Sequence, residues 1–128
     1  MLYSSVKNIE VLVQTDFSKL QSNIVNNDYF YIYNITIHNH SKSPVQLLSR
    51  KWFIVDCLGQ NRVVEGEGVV GVQPIIKAGN SYNYYSGCHL KSPYGKMYGN
   101  YTFINLIDNL TFKVNIPEFN LILPWIKN

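Results

Sequence analysis

The feature that most constrains this chain is an alternation of apolar and polar positions that recurs from one end to the other. Tyr29, Tyr31, Tyr33, Ile35 and Ile37 fall on every second residue, with Phe30, Ile32, Asn34 and Thr36 between them. Successive side chains of an extended backbone point to opposite sides, so this spacing describes a long strand with one face for a core. Ile9, Val11 and Val13 repeat the pattern against Glu10 and Gln14, and Phe112, Val114 and Ile116 repeat it later. Turn-forming residues separate the runs, at His40-Ser41-Lys42-Ser43-Pro44, Gly59-Gln60-Asn61, Lys77-Ala78-Gly79-Asn80 and Asp108-Asn109.

Between those turns, Val45 to Leu48 leads through Arg50 into a strand at Trp52 to Cys57, and Arg62 to Glu65 reads as the returning arm of a hairpin. Ile75-Ile76 is a short apolar piece, and Ser81 to Tyr85 is a further strand. Ser86 to Gly95 has the composition of a loop. Lys96 to Ile104 is a long strand with Met97, Tyr101 and Phe103 on one face, and Pro117 is expected to end the last one. No window has helical periodicity, although Phe17 to Ile24 has room for one turn of helix. Seven or eight antiparallel strands, with turn signals at roughly 8–12-residue intervals, predict an all-β sandwich.

At 128 residues the chain is read as a single domain spanning 1–128. Hydrophobic residues make up 46% and charged residues 15%, which excludes a disordered segment. The net charge of +3 comes from lysines and arginines scattered along the chain, from Lys7 to Lys127, with no stripe that would track a nucleic acid. No charged start precedes an apolar run, and no uninterrupted apolar stretch approaches the roughly 18 residues of a membrane span. Cys57 and Cys88 are too few for a disulfide framework and are read as small, partly buried thiols in a cytoplasmic protein. Asn, Ile, Tyr and Lys are plentiful and Ala78 is the sole alanine, as AT-rich codons would give. Individual asparagines and tyrosines are discounted accordingly.

One motif asks for chemistry. Glu65-Gly66-Glu67-Gly68-Val69-Val70-Gly71 has the G-x-G-x-x-G spacing of loops that hold a dinucleotide pyrophosphate. Such loops work because a helix follows, whose N-terminal amides and dipole meet the anion. Here Val72-Gln73-Pro74 follows, then Gly79 and the alternating Tyr82 and Tyr84, so the context is strand. No Lys-Ser/Thr pair follows the glycines to clamp a phosphate. The glycines are therefore read as residues of a bend or bulge with positive φ, with Val69 and Val70 packed inside. No specific binding of NAD or ATP is expected.

The same run, Val64 to Pro74, resembles the signature V-x-G-x-G-V-V-G-x-Q-P of the ApaG domain family of small bacterial proteins. The resemblance continues in Leu47-Leu48-Ser49-Arg50-Lys51-Trp52, Asp56-Cys57-Leu58-Gly59 and Lys77-Ala78-Gly79. It extends through Tyr84-Tyr85-Ser86-Gly87 with Leu90, Gly95 to Tyr101, and Phe112 to Phe119 with Leu121 and Pro124, nearly the whole chain. Val72 stands at the open position of that signature where the family usually carries Glu, and Ala78 where it usually has Pro. The resemblance implies an immunoglobulin- or fibronectin type III-like sandwich, a role in binding other proteins, and no enzymatic activity or cofactor. It also implies an association with cobalt and magnesium efflux.

Among single residues, Arg50 and Trp52 share a face if their strand is regular. Trp52 is read as core, and Arg50 as a brace for Glu67 or a loop carbonyl, or as a contact for an anion beside the glycine loop. His38 and His40 share a strand face, but no Asp or Glu accompanies them and no metal site is expected there. Ser49 and Ser86 lack the sequence context of a nucleophile, and Glu65 and Glu67 read as solvated carboxylates. The expected function is a binding module for an unidentified protein, using residues Arg50, Gly66, Glu67, Gly68, Val69, Gly71, Gln73 and Ser86. The alternative is a small-ligand sensor in which the 66–71 loop weakly receives phosphate or pyrophosphate.

Overall fold

The computed structural model describes residues 2–6 and 8–126, with side chains described from Asn8 onward. Lys7 and Lys127, two of the scattered cations, lie outside the described residues. The strands are β1 (Leu2–Val6), β2 (Ile9–Phe17), β3 (Tyr29–Asn39), β4 (Val45–Asp56), β5 (Arg62–Glu67), β6 (Ile75–Ile76), β7 (Ser81–Leu90), β8 (Tyr94–Asn105) and β9 (Thr111–Ile122). One sheet has the order β1-β2-β3-β7 and the other β5-β4-β8-β9, with the two-residue β6 beside β4. All pairings are antiparallel. Eight strands in two layers make the expected immunoglobulin/fibronectin type III-like sandwich.

The alternation in the sequence becomes the two inner faces. Val11 lies opposite Ile37 and Val13 opposite Ile35; Tyr84 in turn lies opposite Ile35, and all of these side chains are buried. On the facing sheet Leu47, Trp52, Ile54, Met97, Tyr101, Phe103, Val114 and Ile116 are buried. The expectation for Trp52 holds. Its ring is met edge-on by Tyr33 at 5.4 Å, Phe119 at 5.7 Å and Tyr101 at 6.5 Å.

Three local expectations differ from what forms. The expected loop from Ser86 to Gly95 shrinks to three residues: β7 runs to Leu90 against Tyr29 to Tyr33, and β8 begins at Tyr94. Cys88 and Leu90 continue its buried row, while the small and polar residues between them mask the period. Pro117 does not end β9. Met97 pairs with Phe119 and Gly99 with Ile116, so Pro117 and Glu118 together oppose Tyr98 in a bulge on the outer strand, where a missing N–H is tolerated. The helical turn is a 3₁₀ segment at Ile24–Asn26 that begins at the last residue of the Phe17 to Ile24 window, and Phe17 itself belongs to β2.

The two sheets are joined by a buried hydrogen bond between the hydroxyls of Tyr84 on β7 and Tyr101 on β8. Burial raises the pKa of both, and of Tyr33, above the ordinary tyrosine value. Unfolded tyrosines release their protons near pH 10, whereas these keep theirs. Stability should therefore fall from about pH 9 upward, where the unfolded Cys88 thiol and then the unfolded tyrosines lose protons that the folded state keeps. Urea midpoints measured from pH 8 upward should show this decline, and Tyr84→Phe should make it shallower.

Candidate functional site

The glycine stretch begins in β5 and ends in a turn, and no helix starts there. Its geometry is set by Arg50 on β4, which lies in register with Gly66 of β5 and Tyr101 of β8. The guanidinium passes directly beneath Gly66: a Cβ there would lie 2.6 Å from Arg50 Nη1. Having passed it, Nη1 donates to the carbonyls of Glu67 at 3.2 Å and Gly68 at 3.1 Å. Of the two readings of Arg50, the brace for loop carbonyls is the one the structure forms. Gly66 is the opening that makes it possible.

The rest of the turn is closed by its own backbone. Ahead of Arg50, the pairing of β4 with β8 shifts register between Leu47 and Ser49. The carbonyl of the extra residue, Leu48, accepts the Gly68 amide at 2.8 Å and Gln73 Nε2 at 2.9 Å. Gly68 has φ of 62°, and a Cβ there would lie 2.2 Å from the Val72 carbonyl oxygen. Val69 and Val72 exchange both main-chain hydrogen bonds, at 2.8 and 3.0 Å, around a tip formed by Val70 and Gly71 with φ of 48° and 77°. Two positive φ angles at the tip are what a tight two-residue hairpin turn demands.

Val69 is fully buried, as expected, but Val70 is not packed inside. It stands at the tip, 61% exposed, in a conformation a β-branched residue seldom adopts. The turn geometry overrides side-chain preference there. Gly66, Glu67, Gly68, Val69, Gly71, Gln73 and Arg50 thus form one unit. Ser86 lies elsewhere, on β7, in register with Tyr33 of β3. The charge of Arg50 reaches Tyr33, Tyr84 and Tyr101, in each case opposing the larger upward shift that burial causes.

On the solvent side of β5, Ser49, Lys51, Glu65, Glu67 and Thr102 line an open depression of about 450 Å³. Lys51 Nζ stands 3.2 Å from Glu65 Oε1. At the other end of β5, Arg62 crosses to the opposite sheet, where Nη2 meets the Cys88 sulfur and donates to the His89 carbonyl. Sequence reasoning left Arg62 among the scattered cations. Its place in the row Arg62, Val64, Gly66, on the same side as Arg50, was the signal for an inward role. Burial pushes the Cys88 thiol up to about 11, whereas Cys57 is exposed rather than partly buried.

The histidines also gain a neighbour the sequence did not suggest. Glu10 of β2 pairs with His38 in register, and its carboxylate lies 3.0 Å from His40 Nε2. The acid is 30 residues away in the chain, so only strand pairing reveals it. His38 is bonded to Ser81, and the two imidazoles stack at 5.6 Å. Among the described residues no group of three or more His, Cys, Asp and Glu is placed to hold a metal ion.

Fold and site together define a fibronectin type III-like sandwich that carries a rigid glycine turn on its open edge. The model of the ApaG domain matches residues 19–105. Protein ApaG of Proteus mirabilis (strain HI4320) is 40% identical over 127 residues, covering 99% of this chain and 100% of that protein. Protein ApaG of Escherichia coli (strain K12 / DH10B) is 41% identical over 114 residues, covering 89% and 90%. The crystal structure of a Bordetella pertussis protein described as an ApaA protein superposes with a TM-score of 0.86 at 34% identity, covering 95% of each chain. The chain belongs to the ApaG domain family.

The turn makes a graded prediction. At Gly71 an added Cβ meets nothing within 4 Å, so Gly71→Ala carries only the cost of positive φ, about 1 kcal/mol. Gly68→Ala adds a collision with the Val72 carbonyl and should lose distinctly more. Urea unfolding of the two variants checks the order.

Proposed function

We propose that this chain is a non-enzymatic protein-binding module and that it meets its partner at the edge formed by β5 and the glycine turn. The observation that carries this reading is the exposure of Val70, Val72 and Ile75, each about half or more accessible, on backbone held by hydrogen bonds. Apolar groups presented on a fixed frame beside an unpaired strand bind with little ordering cost. Ser86 lies in register with Tyr33, whose pKa burial raises, which makes that phenol a poor general base. The association with cobalt and magnesium efflux fits as an indirect one, exerted through the bound partner.

The pyrophosphate-sensor alternative has less to stand on. The amides of Gly68, Val69 and Val72 already donate to main-chain carbonyls, and Arg50 Nη1 already bonds two more. An anion at Gly68, Val69 and Arg50 Nη1 would have to displace these bonds.

Capture from the source cell tests the reading, with the wild-type chain, a Val70→Asp/Ile75→Asp variant and, as a control on β2 of the other sheet, an Asp16→Asn variant as baits. One saturable partner, retained by wild type and control and lost by the double variant, is expected. Identical capture by all three baits contradicts the site. Micromolar, saturable NMR shifts by pyrophosphate at residues 66–71, lost in Arg50→Ala, would transfer the assignment to the sensor.

A further inference from the structure

The edge of β5 has a definite polarity that its register reveals. The Gly68 amide bonds to Leu48 O, and the pairing continues in step through Gly66 with Arg50, Val64 with Trp52 and Arg62 with Ile54. In an antiparallel pair, main-chain bonds to the neighbour recur at every second residue. The intervening residues Val63, Glu65 and Glu67 therefore turn their N–H and C=O groups away from β4. Among the described residues nothing pairs there, since β5 ends the sheet. The Glu67 carbonyl alone is taken, by Arg50. Both groups of Val63, both of Glu65 and the N–H of Glu67 are left on the free edge.

The side chains of the same three residues form one exposed row on the solvent face. Val63 lies beside Phe53, whose ring stacks on Tyr98 at 5.0 Å. Glu65 is shared with Lys51, and Glu67 takes part in no ion pair among the described residues. The row reads apolar, acidic, acidic. Cross-strand neighbours on one face of an antiparallel pair interact directly, so a complementary strand must carry the matching row in reverse order.

We propose that β5 accepts an extended segment of a partner protein as an added antiparallel strand, with the pattern basic-x-basic-x-apolar read from its N-terminus. The first basic residue lies opposite Glu67, the second opposite Glu65, and the apolar one over Val63 and Phe53. Main-chain bonds to Val63, Glu65 and Glu67 supply sequence-independent affinity, and the two carboxylates supply selection. Arg62 and Arg50 hold β5 to the sandwich at its two ends, so the edge is presented already ordered. The inference rests on the protein-binding reading and names the chemistry of the partner.

The test is fluorescence anisotropy with a fluorescein-labelled peptide, Thr-Lys-Thr-Lys-Thr-Val-Thr, together with NMR shifts of the β5 amides. Saturable binding centred on residues 63–67 is expected. Replacing both lysines by glutamate, or N-methylating the peptide amides that face β5, should weaken binding at least tenfold. A Glu65→Lys/Glu67→Lys variant, shown to be folded by its thermal transition, should prefer the glutamate peptide instead. Equal binding of the N-methylated peptide, a preference that survives charge reversal, or no saturable shift at millimolar peptide overturns the proposal. So does a concentration-dependent dimer with protected β5 amides, which would assign the edge to a second copy. If the peptide fails while Val70→Asp/Ile75→Asp still abolishes partner capture, strand addition falls and the binding module stands.

Discussion

The glycine turn depends on one guanidinium in an unusual position. Arg50 projects from the middle of a sheet toward the core side, where a cation is rarely found without partners. Its partners are the backbone oxygens of Glu67 and Gly68, reached only because Gly66 has no side chain in the way. An arginine fits where a lysine would not, since the planar fork lies flat beneath the strand while donating at its rim. Through those two bonds the arginine fixes where β5 stops and where the chain enters the turn.

From that point the remaining geometry follows locally. Gly68 must take positive φ to bring Val69 and Val72 face to face, and Val69 then drops into the core as the anchor of the turn. Val70 is left at the tip. The spacing that resembles a nucleotide loop is thus produced by three separate backbone needs: an opening for a side chain at Gly66, a close approach at Gly68 and a turn tip at Gly71. None involves a helix. What the arrangement offers to the outside is a rigid apolar corner and an open strand edge, both suited to recognising another polypeptide.

Much of this was legible in the sequence, and the exceptions share a cause. Period-two spacing located the strands and the core face, and Trp52 and Val69 followed from residue type and context. Residue type left Arg50 open between a brace and an anion contact, and the bonds to Glu67 and Gly68 decide for the brace. Ser86–Leu90 was missed because its outward residues are small and polar, although Cys88 and Leu90 keep the period. Pro117 was overread because a bulge on an outer strand absorbs it. Glu10 beside His40 arises from strand pairing, and Arg62 against Cys88 and His89 from a contact between the two sheets, in both cases between residues far apart in the chain. Local pattern carries no record of such neighbours. Val70 shows the reverse case, a side chain whose preference for burial yields to the φ its position requires.

The central claim is that Arg50 organises the turn, and native-state amide hydrogen exchange tests it most directly in an Arg50→Met variant. Methionine keeps an unbranched side chain under Gly66 while removing the donors. The account predicts that protection of the Gly68, Val69 and Val72 amides falls at least tenfold while that of the β2 and β3 amides is unchanged, the signature of local opening. Undiminished protection at Val69 and Val72 would contradict it, and would mean that the turn holds its shape without the arginine.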